Sequence, residues 1–369
     1  MPRKLFHRQI KSGLAKHLIA AWHRRTPWIK IPVYLALVAA IICSAGYGIA
    51  EWYIQKHNDE PLILGTTFIS DYAKSYGLDP HQTYIDIITG LGVKQIRLVS
   101  YWEDIETSPG HYDFSELDWE MSTAQQYGVK ISLSVGLRQP RWPECHAPSW
   151  VNPPDEATWY PQLKTFMGAV VNRYKNNPAL DNYQLENEYF LAVFGECRTY
   201  TATRERLIDE YNYIKSLDSQ HPIVLSLANN YAGTAIGQPV PDYYGISVYK
   251  RVFDTTITHR YFEYPYPPWY YAARSGILEL LHGKSSVIHE LQAEPWGNKP
   301  ILDMTLQEQD ITMNADILQK RIKYAEDTGM RSINLWGAEW WLWRKDKMND
   351  PSLWNVAKQA IAEANAGDH

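Results

Sequence analysis

Residues 182–189 read Asn182-Tyr-Gln-Leu-Glu-Asn-Glu-Tyr189. The first four residues have the length of a short strand, and Glu186-Asn187-Glu188 follow it directly. A second stretch, Ser286-Val-Ile-His-Glu290, also places a glutamate directly after a short apolar run. Short apolar runs bounded by polar residues are typical of strands that are buried on both faces of a parallel sheet. These two stretches therefore predict parallel strands that carry acidic residues where they end.

The rest of the chain repeats this alternation of strand and helix. Eight strand-length runs alternate with helix-length periodic stretches, the pattern of βα units. Eight units in about 300 residues is the size of a (β/α)8 TIM barrel, an α/β fold, and no glycine-rich nucleotide motif supports a doubly wound sheet. The predicted strands are Leu62–Thr66, Gln95–Val99, Lys130–Val135, Asn182–Leu185, Ile223–Leu227, Tyr244–Val248, Ser286–His289 and Ser332–Trp336. The predicted helices include Pro80–Leu91, Leu117–Tyr127, Tyr160–Asn176, Thr203–Leu217, Trp269–His282 and Asn314–Thr328.

The N-terminal segment has the composition of a membrane anchor. Residues 1–30 contain eight Lys and Arg, the first acidic residue is Glu51, and residues 31–50 contain no charge. Twenty helical residues span the roughly 30 Å hydrocarbon core of a bilayer. The sequence predicts a basic cytoplasmic tail (1–30), a transmembrane helix (31–53), a polar linker (54–60) and a barrel domain outside the cytoplasmic membrane (61–369). A cleaved signal peptide and a buried core helix are the alternatives, although both the leader and the apolar run are long for a signal.

Charge and composition limit the partners of the barrel domain. Residues 51–369 carry 28 basic and 41 acidic side chains. This excess of negative charge argues against nucleic acid as a partner, because phosphate binding needs a concentrated basic surface. The 15 Trp and 26 Tyr suit either stacking on sugar rings or core packing, and composition does not separate the two.

The strand ends of a TIM barrel form its active site, and here they carry an ordered set of polar and aromatic residues. Glu188 and Glu290 follow the fourth and seventh predicted strands, on opposite sides of one barrel. A pair of carboxyl groups roughly 5 Å apart is what double displacement at a sugar carbon requires. Arg97, Tyr249 and Trp336 end the second, sixth and eighth strands.

This order resembles glycoside hydrolase clan A, the retaining barrel glycosidases that include cellulase-, mannanase- and β-galactosidase-like enzymes. The resemblance covers nearly all of residues 61–365 and implies an oligosaccharide or polysaccharide substrate and no metal or organic cofactor. It also implies that Glu188 is the acid/base and Glu290 the nucleophile, while Asn187 binds the sugar 2-hydroxyl. Arg97 and Tyr249 would then hold the nucleophile, and Trp336 would form a platform under the reacting sugar.

Several other positions were assigned from their place in the loops. Glu294 is the alternative nucleophile, and Gln292, Glu294 and Trp296 depart from the residues that usually follow the clan nucleophile, which leaves family and sugar preference open. We expect Glu186 to be a buried partner of Arg97, and Glu339 to bind sugar or serve the structure. The loops are rich in aromatic residues, of which Trp102 and Trp296 are taken as substrate-binding.

Cys145 and Cys197 fall in the loops after the third and fourth strands, at the same end of the barrel. They are the two cysteines of the predicted exported part, where oxidation is allowed, so we expect a disulfide that stiffens the acid/base loop.

Rival functions fit less well. A metal-dependent hydrolase needs clustered His and Asp at strand ends, and His289 is the single histidine there. A Schiff-base aldolase needs a strand-end lysine, and Lys250 lies one residue past the sixth strand. A non-catalytic carbohydrate-binding or envelope-assembly protein on the same barrel, and a transglycosylase that uses the same residues, remain open alternatives.

Overall fold

The computed structural model describes residues 27–191, 194–200, 202–228, 237–255 and 257–367. These residues belong to two compact units, Met1–Ile49 and Ala50–His369. Most of the predicted basic tail, residues 1–26, lies outside the described residues.

The first unit is helical in its described part. Helix α1 (Pro27–His57) begins there, and its side chains between Ile31 and Ile49 are mostly exposed. From Lys30 to His57 the helix is long and apolar enough to cross a membrane, as an anchor or as a signal sequence. Its last residues, from Ala50 onward, belong to the second unit, so the segment predicted as a polar linker is helical as far as His57.

The second unit is the predicted barrel. Eight parallel strands close into a ring in the order β1-β2-β3-β4-β5-β6-β9-β10, and a small antiparallel hairpin, β7–β8, follows β6. The fold class is therefore confirmed. The strands are β1 (Ile63–Thr67), β2 (Gln95–Leu98), β3 (Lys130–Val135), β4 (Leu180–Leu185), β5 (Ile223–Leu227), β6 (Tyr243–Val248), β7 (Arg251–Phe253), β8 (Tyr261–Glu263), β9 (Ser286–Gln292) and β10 (Ser332–Trp336).

Helices surround the ring and bury its outer face. The predicted helix 80–91 is α-helical to Asp86 and continues as a π turn, Ile87–Leu91, where Gly90 lies against the Trp354 ring. The helices after α1 are α2 (Ser70–Ser75), α3 (Pro80–Asp86), α4 (Trp102–Ile105), α5 (Ser115–Tyr127), α6 (Glu156–Tyr174), α7 (Arg204–Leu217), α8 (Pro268–His282), α9 (Leu306–Asp310), α10 (Ala315–Glu326), α11 (Ala338–Lys347) and α12 (Ser352–Ala366).

Strand β9 is longer than predicted and is bulged. It runs to Gln292, and its register shifts against both neighbours, so that Ser247 of β6 lies opposite Glu290. A bulge re-aims the side chains beside it. Gly245 of β6 makes room for the bulge, because a Cβ there would lie 2.8 Å from Nδ1 of His289. Glu290 is thus held inside a strand, whereas we expected it just after one.

Candidate active site

A cleft of about 900 Å³ opens at the carboxyl end of the barrel. Both predicted catalytic carboxylates line it, together with the alternative Glu294 and a further acid, Glu144. The strand ends therefore meet in one cavity, as the fold requires. The other predicted residues that line this cleft are Tyr249, Trp296 and Trp336.

Glu188 is held by an unusual backbone. Glu186 and Glu188 have φ angles of 54° and 42°, in the left-handed region that non-glycine residues rarely occupy. Glu186 fixes this turn, because its carboxylate accepts hydrogen bonds from the backbone N–H groups of Leu137 (3.0 Å) and Arg138 (2.6 Å). The N–H of Glu188 donates to Ser226 Oγ at 3.0 Å. Strained backbone of this kind clusters at functional sites, where the surrounding structure holds it in place.

The expectation that Glu186 is the buried partner of Arg97 is wrong. Arg97 instead donates to Glu290 Oε1 at 2.9 Å, and its guanidinium is fixed by Thr67 Oγ1 (2.9 Å) and Gln184 Oε1 (3.2 Å). Arg97 is fully buried and Glu290 is 4% exposed, so this ion pair is shielded from water. Glu186 instead lies 3.8 Å from Arg206.

The two oxygens of Glu290 have different surroundings. Oε1 accepts the hydrogen bond from Arg97, whereas Ser247 Oγ lies 3.5 Å from Oε2. Glu294, in contrast, accepts four hydrogen bonds: two from Arg141 (3.0 and 3.2 Å), one from Tyr72 (3.0 Å) and one from the Trp336 indole (2.8 Å). These four hydrogen bonds occupy the acceptor sites of the Glu294 carboxylate, which favours Glu290 as the nucleophile.

The protonation of Glu188 is set by burial and by its neighbour. Burial, and after it the nearby Glu290 carboxylate, raise the pKa of Glu188 to about 7, against the opposing hydrogen bond from Ser247. The Ser247 hydroxyl is thus within reach of both carboxyl groups. Glu290 is paired with the Arg97 guanidinium, whereas Glu188 holds a proton near neutral pH, so the two carboxyl groups differ in the way that acid/base chemistry needs.

Two further predicted site residues, Asn187 and Tyr249, have different surroundings. The Asn187 amide is 2% exposed; its Nδ2 donates to Glu144 Oε2 (3.0 Å) and its Oδ1 accepts from Gln184 and Ser226. Tyr249 lines the cleft with its ring edge-on to Trp296, 5.1 Å away. Burial raises the pKa of Tyr249 well above its usual value, so its hydroxyl stays a hydrogen-bond donor.

Trp336 lines the cleft, but its ring is not the open platform that we expected. It is 5% exposed, and the guanidinium of Arg141 lies 4.3 Å from its ring centroid. The same guanidinium lies 3.3 Å from the ring centroid of Tyr72, so Arg141 is stacked between two aromatic rings. Arg141 itself also lines the cleft.

The assignment of Trp102 to substrate binding is wrong, and for Glu339 the structural alternative is the one that fits. Trp102 is fully buried against Trp150 and Phe166 and donates to Glu106, so its ring belongs to the core. Glu339 is 2% exposed and does not line the cleft. Its carboxylate accepts the backbone N–H of Ile69 at 2.7 Å, and burial raises its pKa to about 7, which makes it a structural group.

Glu144 was missed by the sequence reasoning. It lines the cleft and is 4% exposed, and burial raises its pKa to about 8 despite the opposing charge of Arg138. At neutral pH it is a neutral acid beside Glu188. The signal that could have found it is its neighbour Cys145, which forms a disulfide with Cys197 and ties this loop to the acid/base loop.

In the part of the chain that the structure describes, no three or more His, Cys, Asp or Glu side chains form a cluster suited to a metal ion.

Comparisons with known proteins bear on the fold. No family model matches the sequence. Two curated relatives, β-galactosidases from Geobacillus sp. and Geobacillus kaustophilus, are 30% identical over 149 residues, 33% of this chain and 22% of each relative. The match therefore spans about a fifth of the length of these relatives.

Solved structures of glycoside hydrolases superpose on most of the chain. A GH5_18 enzyme of Bifidobacterium longum subsp. longum in complex with Manβ1-4GlcNAc has a TM-score of 0.56 at 12% identity, covering 82% of this chain and 78% of that one. An exo-β-1,4-mannosidase from an Opitutaceae bacterium has a TM-score of 0.55 at 12% identity, covering 83% and 60%. A β-galactosidase from Marinomonas ef1 has a TM-score of 0.54 at 11% identity, covering 82% and 60%.

At these identities the likeness establishes the fold. The chain has an eight-stranded parallel barrel similar to the barrels of these glycoside hydrolases, which is the fold that the resemblance implied. The chemistry rests on the arrangement of its own residues.

Proposed function

We propose that the barrel is a retaining glycoside hydrolase that cleaves β-linked glycosides or polysaccharides by double displacement. The observation that carries this proposal is that the two carboxyl groups in the cleft have different surroundings. Glu290 is paired with buried Arg97 at 2.9 Å, and Glu188, in the same cleft, has its pKa raised to about 7. One anion and one acid facing a shared cavity is the arrangement that this reaction uses.

In the first step, Glu290 Oε2 attacks the anomeric carbon while Glu188 protonates the glycosidic oxygen. The bond from the anomeric carbon to the leaving oxygen breaks, and a glycosyl ester forms on Glu290. Arg97 holds Oε1 of Glu290 by a hydrogen bond and leaves Oε2 for the attack. The backbone turn at Glu186 and Glu188 fixes the acid in place, so little motion is needed for the transfer.

In the second step, Glu188 is a carboxylate and accepts a proton from water. The resulting hydroxide equivalent attacks the anomeric carbon, the ester to Glu290 breaks, and the sugar leaves with its original configuration. Esterification removes the negative charge of Glu290, so the pKa of Glu188 falls and the residue becomes the better base at this stage.

The remaining groups support binding. Asn187 holds the 2-hydroxyl of the sugar, and Tyr249 donates to Glu290 or to the ring oxygen region. Trp296 and the apolar hairpin side chains line the wider part of the cleft, where further sugar units would lie. Glu294 orients Arg141 and Trp336 and takes no part in the chemistry.

We also propose that α1 anchors the enzyme in the cytoplasmic membrane with its N-terminus inside and the barrel outside. The support is the basic leader before the apolar run and the Cys145–Cys197 disulfide, which fits an oxidising compartment.

The test is product release by the full chain in detergent from aryl β-glycosides and from β-glucan, mannan and xylan oligosaccharides. Glu188→Gln and Glu290→Gln should each lose at least about 100-fold in rate, while the exposed Glu363→Gln on α12 should not change it. Activity that survives Glu290→Gln contradicts the proposal, and a silent wild type that binds the glycans favours the binding-protein alternative. Products longer than the substrate would indicate transglycosylation by the same residues.

A further inference from the structure

A chain of hydrogen bonds runs from the Arg97 guanidinium through two side-chain amides to Glu144. Arg97 donates to Gln184 Oε1 at 3.2 Å. Gln184 Nε2 donates to the backbone oxygen of Glu186 (3.2 Å) and to Asn187 Oδ1 (3.1 Å). Asn187 Nδ2 in turn donates to Glu144 Oε2 at 3.0 Å. All of these side chains are buried, so water does not compete for the bonds.

The direction of this chain is fixed at its first member. A guanidinium has donors and no acceptor, so Gln184 must present its oxygen to Arg97 and its amide N–H groups to its other partners. Asn187 therefore presents Oδ1 to Gln184, and Ser226 Oγ donates to the same oxygen at 3.2 Å. The group of Asn187 that faces Glu144 is then an N–H, and Glu144 Oε2 must be its acceptor.

Two polar groups at the end of the chain have unused capacity. Asn187 Nδ2 carries a second hydrogen, for which the described part of the chain provides no acceptor. Glu144 Oε1 makes no hydrogen bond to a described residue, and Glu144 lines the cleft together with Glu188. Buried polar groups are normally hydrogen-bonded. An unused donor and an unused oxygen on side chains joined by one 3.0 Å bond therefore indicate a ligand group that would bond to both.

The loop that carries Glu144 is braced against the acid/base loop. Arg138 and Cys145 pair as a β-bridge across its base, and the disulfide from Cys145 to Cys197 ties it to the loop after β4. Gly195 of that second loop packs closely against it, because a Cβ there would lie 2.7 Å from Glu144 Cβ. A carboxyl group that is held in this way loses little freedom when it binds a ligand.

We propose that Glu144 is a substrate-binding residue that shares the sugar 2-hydroxyl with Asn187. Asn187 donates its second N–H to the hydroxyl oxygen, and Glu144 Oε1 forms the other hydrogen bond to the same hydroxyl group. The resemblance assigned this hydroxyl to Asn187 alone. The inference rests on the proposed function, which supplies the sugar, and it adds a residue that selects for a hydroxyl group at this position.

At neutral pH Glu144 meets the hydroxyl group as a donor. Its pKa is about 8, because burial raises it most, the charges of Glu188 and Glu290 raise it as well, and Arg138 opposes them. Since Oε2 accepts from Asn187, the proton lies on Oε1. A glutamine in this place keeps both an acceptor oxygen and an N–H donor, whereas a methionine of similar length keeps neither.

The test compares Glu144→Gln and Glu144→Met with the wild type, as the full chain in detergent. The substrates are a phenyl β-glycoside of the preferred sugar and its 2-deoxy counterpart. The measured quantity is the ratio of kcat/KM on the two substrates in one preparation, from which the folded fraction cancels. Glu144→Gln should keep the wild-type ratio within about threefold, and Glu144→Met should lower it about tenfold, through a loss on the hydroxylated substrate alone.

Glu196→Met is the matched control. Glu196 is an exposed glutamate in the loop that the disulfide ties down, and it does not line the cleft. The same change of residue type should therefore leave the ratio unchanged.

Equal losses on both substrates in Glu144→Met contradict the proposal, because they give Glu144 a purely structural role. A ratio for Glu144→Gln as low as that for Glu144→Met contradicts it as well. Failure of the proposed function is seen separately, as activity that survives Glu188→Gln or Glu290→Gln. If the wild type binds sugars without cleaving them, the ratio is taken from the dissociation constants of the methyl glycoside and its 2-deoxy counterpart, and Glu144→Met should again lower the preference about tenfold.

Discussion

The raised pKa of Glu188 predicts a steep loss of activity on the alkaline side of neutrality. The first step needs Glu188 protonated, and its pKa of about 7 arises first from burial and then from the Glu290 carboxylate. Above the pKa, the protonated fraction falls tenfold for each pH unit. At pH 9 about 1% of the enzyme carries the proton, so kcat/KM should be about 100-fold below its plateau.

The assay is kcat/KM from pH 5 to pH 10 with two aryl glycosides of the preferred sugar. For a phenyl glycoside, whose leaving oxygen needs a proton, the profile should bend near pH 7, because kcat/KM reports the groups of the free enzyme. For a dinitrophenyl glycoside, whose leaving group is stable as an anion, the bend should be absent. The comparison assigns the bend to the acid and not to general alkaline damage.

Two results would refute this reasoning. A phenyl glycoside profile that stays flat to pH 9 means that Glu188 is not the proton donor or is not perturbed. A bend of the same size in the residual activity of Glu188→Gln means that another group titrates.

Three further predictions concern the groups around the pair. Glu144→Gln should stabilise the protein at pH 9 by up to a few kcal/mol and change little at pH 4. The folded pKa of about 8 lies above the unfolded value, so the wild type loses stability as the pH rises from the unfolded pKa to the folded one. Denaturant unfolding that gives the same difference between wild type and variant at both pH values would contradict this. Arg97→Met should lower the free energy of unfolding by about 3–5 kcal/mol, because it leaves the Glu290 carboxylate buried without its partner. Adding Glu290→Gln should restore part of that loss. Unfolding curves that show no loss would mean that the ion pair does not stabilise the fold. Cys145→Ser should lower stability by about 2–4 kcal/mol, since the Cys145–Cys197 bond closes a loop of 52 residues, and an unchanged melting temperature would argue that the bond does not form.

The barrel was predictable because each strand carries its own local pattern. Predicted and observed limits agree for Lys130–Val135, Ile223–Leu227 and Ser332–Trp336. The largest difference is at β9, which continues to Gln292 through Glu290, a polar residue that lines the cleft. Polar residues inside a buried strand look like the strand's end, so periodicity alone stops too early.

The candidate site was predictable where it depends on strand ends, and not where it depends on loops. The meeting of Glu188 and Glu290 follows from the closure of the barrel. Glu144 reaches the cleft through a loop in which Arg141 and Glu144 itself have φ angles of 80° and 73°, and against Gly195, where a Cβ would lie 2.7 Å from Glu144 Cβ. The hydrophobic periodicity of a sequence does not predict the path of such a loop.

Aromatic residues in the loops show the same limit. Trp102 and Trp296 both lie in predicted loops and could not be told apart from sequence. Trp102 is fully buried in the core, whereas Trp296 lines the cleft. Tertiary packing decides which face of each ring remains open, and a large apolar side chain satisfies either environment.

The most direct test of the central claim is to trap the covalent intermediate. An activated 2-fluoroglycoside of the preferred sugar is incubated with the full chain, and the labelled peptide is identified by mass spectrometry. We expect one glycosyl group per chain, attached to Glu290 and absent from Glu290→Gln. Attachment to Glu294, or turnover of the natural substrate with inversion and without any labelled peptide, would contradict it.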